Sequence, residues 1–121
     1  MPSLFEVSAG KLAGPTTGGT VTQATNKTTG VTLNTESGQI TMNNAALAAA
    51  AEASFTVTND KIAATDVVVA VHGSAGTAGS YLVGVTAIAA GSFEITVTNV
   101  SGGSLSEAIV SNFVALKGAS S

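Results

Sequence analysis

Apolar and polar residues alternate along much of this chain with the period of two that marks a half-buried β-strand. The clearest stretches are 52–59, which ends in SFTVTN, and 92–99, which reads SFEITVTN. Phe55 and Val57 in the first, and Phe93, Ile95 and Val97 in the second, take one face. Ser54, Thr56, Thr58, Glu94, Thr96 and Thr98 take the other. Phe55 and Phe93 are therefore the expected core anchors. After each TVTN come small or mixed residues, an acid (Asp66 or Glu107) and an apolar run, VVVAV or AIVSNFVAL. A strand, a short connection and a second strand, written twice, predict two similar β-hairpins and two sheets facing one another.

The same reading places shorter strands at 20–25, 29–34 and 38–43, rich in Thr and Val and spaced as a meander. Further strands are expected at 66–72, 80–88 and 107–117, with the glycine-rich GSAGTAG at 73–79 as a hairpin loop between the first two. The Ala-rich run after Asn43-Asn44 offers a helix cap and good helix formers, but it is short, and reads as a helical turn or a loop. Residues 1–19 hold both prolines and four glycines around scattered apolar residues, so they form an extended arm ahead of a domain at 20–121. The fold class is all-β: an antiparallel β-sandwich of jelly-roll or similar type with about eight short strands.

Two strands are apolar on both sides. In 66–72, Val67, Val69 and Val71 alternate with Val68, Ala70 and His72; in 107–117, Ile109, Phe113 and Ala115 alternate with Val110, Val114 and Leu116. One face of such a strand meets its own core and the other meets a neighbour. We assign Val68, Ala70, Val110, Val114 and Leu116 to an oligomer interface.

Composition strengthens this expectation. Four Lys, no Arg and seven acids make 9% of the 121 residues, against roughly 25% in an average soluble domain. Residues 67–93 contain no Asp, Glu, Lys or Arg at all, where a lone monomer would use charge to protect strand edges. A net charge of −3 without arginine argues against nucleic acid as a partner. No apolar run is long enough for a membrane span, and MPSLFEVSAGKLAG lacks the basic start and apolar stretch of a secretory leader. With no cysteine, a disulfide framework and a thiolate metal site are excluded.

Candidate chemistry is sparse. His72 is the only histidine, and its place on a strand beside Val71 makes it a packed or edge residue rather than a catalyst. Asp60 and Asp66 bracket a short connection and have ordinary turn roles, so no metal site is assigned. The GSAGTAG loop is not followed by the Lys-Ser/Thr helix of a phosphate loop. No catalytic residue, cofactor or small-molecule substrate is expected.

The phrases GGTVTQATNKTTGVTLNTESGQITMNNAALAA, FTVTN, AAGSFEITVTNVSGG and LSEAIVSNFVALK, covering 18–118, resemble a recurrent module of tailed-bacteriophage virion proteins. Small β-domains of this kind occur in capsid decoration (cement) proteins, head fibres and tail-fibre tips. The resemblance implies a homotrimer, with the last strand and its neighbours packed around a threefold axis. It also implies a place on the outer capsid surface, a major capsid protein as partner, and a shell-stabilising role without catalysis. Leu4, Phe5, Val7 and Leu12 of the arm would then anchor the trimer to the shell. The alternative within the same resemblance is a receptor-binding fibre tip that recognises the host surface.

Overall fold

The computed structural model describes residues 6–8, 11–13 and 18–118. The described residues form ten strands and no helix. In chain order these are β1 (Glu6–Ser8), β2 (Lys11–Ala13), β3 (Thr20–Thr22), β4 (Val31–Thr32), β5 (Ser37–Thr41), β6 (Glu52–Thr58), β7 (Val67–Ser74), β8 (Tyr81–Ala89), β9 (Ser92–Asn99) and β10 (Val110–Leu116). Eight of them build two four-stranded sheets, ordered β3-β5-β10-β7 and β4-β6-β9-β8. The protein is an all-β sandwich. Pairing is antiparallel except that β3 runs parallel to β5 and β4 parallel to β6.

Those parallel pairs correct the expected meander. The three early strands do not pair in succession, because β4 crosses to the opposite sheet between β3 and β5. The Ala-rich run is a loop: Leu47 makes an isolated bridge with Leu105, Ala50 takes φ 63°, and β6 follows at Glu52. Within the arm, β1 and β2 pair antiparallel with Val7 opposite Leu12. Leu4 and Phe5 lie outside the described residues.

The repeated phrase is also corrected. Neither copy opens a hairpin; each is an arch whose second strand lies in the other sheet. β6 and β9 sit side by side, antiparallel, at the centre of one sheet, with Phe55 opposite Ile95 and Val57 opposite Phe93. Their successors β7 and β10 sit side by side, antiparallel, in the other. The GSAGTAG segment likewise links β7, at the edge of one sheet, to β8, at the edge of the other. A true hairpin joins β8 to β9 through Ala90 and Gly91, where φ of 85° suits glycine.

What makes TVTN recur is its asparagine. Asn59 and Asn99 are fully buried at the ends of β6 and β9. Asn59 donates to Thr35 O (2.6 Å) and accepts from Lys61 N (3.0 Å). Asn99 donates to Leu47 O (2.8 Å) and Gly103 O (2.9 Å) and accepts from Ser101 N (2.9 Å). Each closes an Asx-type turn and fastens the outgoing arch to a distant loop, which satisfies backbone groups that the strand end would leave unpaired.

Between the sheets lies one core, with Ile40, Val57, Ile95, Val97, Ile109 and Ala115 at 0% exposure and Phe93 against Phe113 at 5.1 Å between ring centroids. Burial of these side chains, at roughly 1.5–3 kcal/mol each, is the main stabilising term.

Candidate interaction surface

Register decides which side of β7 and β10 faces water. Directly opposed residues share a face, and the pairs are Phe113 with Ala70, Ala115 with Val68, Val114 with Val69, and Leu116 with Val67. Phe113 fills the core, so its partner must be small, and Ala70 meets that need while Val68 complements Ala115. Val68 and Ala70 are accordingly buried at 6% and 5% exposure. Their assignment to an oligomer interface is corrected: both belong to the chain's own core. The outward residues of β7 are Val67, Val69 and Val71, at 54%, 46% and 50% exposure. Val110, Val114 and Leu116 do lie on the outward side of β10, half-buried beside them.

The rest of that face is polar but neutral. Thr20 and Thr22 of β3, Ser37, Gln39 and Thr41 of β5 and Asn112 of β10 complete it, and none of its four strands contains Asp, Glu, Lys or Arg. A cleft of about 430 Å³ opens on its β3 side, lined by Gly18, Thr20, Ser37, Gln39 and Asn112 among others. Next to it a bulge in β7 brings Gly73 under the Asn112 carboxamide; a Cβ there would stand 2.5 Å from its Cγ and Oδ1. Asn112 Oδ1 is buried without a hydrogen-bond partner.

At one end the face stops at an ion pair. Lys117 Nζ lies 2.5 Å from Asp66 Oδ2 and also donates to Lys61 O (2.7 Å). Burial alone would raise the Asp66 carboxyl, but hydrogen bonds from Ala63 N, Lys117 and Gly118 N outweigh it and hold the group below its ordinary value. Asp66 has the turn role expected of it, bonding Ala63 through both backbone and side chain, and it also clamps the β6-β7 connection to the end of β10.

The opposite end brings Glu107, Tyr81, His72 and Lys27 close together. Glu107 accepts from Tyr81 OH (2.8 Å) and from Thr77 through both N–H (3.0 Å) and hydroxyl (2.8 Å), and these bonds hold it low. Burial and the Glu107 carboxylate push the Tyr81 phenol up to about 12. His72 packs edge-on to Tyr81 at 5.5 Å, and its Nε2–H donates to the Ala75 and Ser74 carbonyls. The packed role expected for the histidine is what the geometry gives. Lys27 is 3% exposed; its Nζ donates to the Asn43 and Glu107 carbonyls, and burial pushes it down against the opposing pull of Glu107. Beside it Gln23, 2% exposed, donates to Lys27 O and Thr29 O and accepts from Asn43 N.

Sequence reasoning missed Gln23, Lys27 and the two asparagines as buried polar ties. The repeated Asn was a usable signal; a lysine aimed inward has none in the local pattern. No group of three or more His, Cys, Asp or Glu able to hold a metal occurs among the described residues, and no helix among them is long and apolar enough to cross a membrane. Comparison with protein-family models, with curated proteins and with solved structures finds no match for this chain. The likeness to phage virion modules rests on the quoted phrases alone.

Proposed function

We propose that this protein is a structural component of a bacteriophage virion, a capsid decoration protein that binds the outer shell as a homotrimer and reinforces joints between capsid subunits. The virion setting comes from the sequence phrases. The assembly role is carried by one observation: a charge-free sheet face with a row of half-exposed valines. A protein that worked alone in water would place charges on that face and on the β7 edge. The arm, with Leu4, Phe5, Val7 and Leu12, supplies the attachment to the major capsid protein in this reading.

The reading assigns no catalytic role to Asp66, Glu107 or His72, each of which is engaged in holding the fold. Asp66 is tied to Lys117, Glu107 to Tyr81 and Thr77, and His72 to two carbonyls. The second reading, a fibre tip that recognises the host surface, is favoured by the other sheet, whose outward side is a hydroxyl-rich lattice. There Ser54 Oγ and Thr96 Oγ1 lie 2.7 Å apart, and Thr86 Oγ1 bonds both Glu94 (2.7 Å) and Thr96 (2.8 Å).

Capsids stripped of this protein should lose resistance to heat and regain it when the purified chain is added back. Unchanged resistance sinks the decoration reading. Binding of the isolated protein to host cells, with competition against infection, would establish the fibre-tip reading instead.

A further inference from the structure

We propose that the outward face of the β3-β5-β10-β7 sheet is the contact surface between copies of this chain, centred on Val67, Val69, Val71, Val114 and Leu116. The proposal rests on the homo-oligomer part of the reading above and says which residues make that contact.

Three observations carry it. The face has the anatomy of an interface: an aliphatic centre on β7 and β10, and a neutral polar rim from Thr20, Gln39, Thr41 and Asn112. Its charge pattern selects the occupant. A charged partner would be desolvated against it without a counter-ion, whereas the next copy offers the equally charge-free flank at β7, so that face meets flank as a closed ring of three requires. Its size sets a further requirement. The valine strip alone, two strands wide, is about 10 Å across, and the four strands together cover about 19 Å by at most about 23 Å, roughly 400 Å² in projection because β3 and β5 are the shorter strands. That is about half of the roughly 800 Å² per partner of a standard interface, so the contact reaches beyond the face. The flank of the sandwich where β7 is the edge strand extends the same surface, since the long strand β7 carries no proline and no charge to discourage pairing.

Light scattering on the full chain provides the test, with Val69→Glu on the face, Val69→Thr as a same-shape change, and Thr58→Glu on the opposite sheet as control. Val69 is half-exposed, so the Thr variant keeps the fold, and thermal melts verify this for all three. The wild type should have a mass that is a multiple of 11.7 kDa. Val69→Glu should fall to the monomer mass, with self-association weakened by about 100-fold; Val69→Thr should be intermediate and Thr58→Glu unchanged. If the wild type associates and Val69→Glu associates equally well, the assigned face is wrong while the oligomer reading stands. If the wild type is a monomer at all concentrations up to about 1 mM, both fail, and the capsid add-back assay decides the decoration role separately.

Discussion

On one side of this sandwich β6 and β9 turn Ser54, Thr56, Thr58, Ser92, Glu94, Thr96 and Thr98 to solvent; on the other, β7 and β10 turn out Val67, Val69, Val71, Val110, Val114 and Leu116. The inward sides are alike, each closing on the same core of Phe, Ile and Val. Folding therefore does not account for the difference, because the valines are about half exposed in the folded chain. The hydroxyl face satisfies itself through Ser54, Thr86, Glu94 and Thr96, with Leu82 at 65% exposure as its one large aliphatic residue. The valines of the other face carry no side-chain polar group to satisfy and gain only by leaving water. In the proposed reading, the two faces of one scaffold divide between solvent and assembly.

The comparison breaks most completely if the shared core goes. Phe93→Ala should cost about 4 kcal/mol, because it empties the space against Phe113, and both faces would be lost together. Denaturant titration measures this; a loss under 1 kcal/mol would mean that the two sheets do not depend on that contact. Next in size is Asp66→Asn, which leaves Lys117 without its counter-charge and weakens the clamp at the end of the valine face, at about 2 kcal/mol near neutral pH. The carboxyl is held below its ordinary value of 3.8, so its contribution is fully present above that value and disappears as pH falls through the folded-state value. The gap in melting temperature between wild type and Asp66→Asn should narrow as pH falls below 3.8, and a constant gap would assign the effect to packing.

The smallest effect on stability and the sharpest on behaviour is expected from Val67→Thr, Val69→Thr and Val71→Thr combined, which make one face resemble the other. Monomer stability should change by no more than about 1 kcal/mol, since these side chains are half exposed, while self-association disappears. The reverse change, Thr56→Val with Thr58→Val, should leave stability nearly unchanged and add a new, concentration-dependent association visible by sedimentation.

Much of this division was legible in the sequence. Strict alternation in SFEITVTN put Phe93, Ile95 and Val97 inside and the threonines outside, and the charge-free stretch pointed to a surface away from water. Sheet membership was not legible. A strand, a connection and a strand read the same whether the connection turns back beside its origin or arches to the opposite sheet, and the difference lies in long-range pairing. Nor could VVVAVH be oriented from its own pattern. With Val on both sides, orientation was decided by Ala70 opposite Phe113, a register that local sequence does not contain.

Methyl-labelled valine and threonine, observed by NMR with a soluble paramagnetic probe at low and high protein concentration, compares the two faces in one sample. The account predicts that the methyls of Val67, Val69 and Val71 are accessible when the protein is dilute and shielded when it is concentrated, while those of Thr56, Thr58 and Thr98 stay accessible throughout. Valine methyls that remain as accessible as the threonines in the concentrated protein would contradict it.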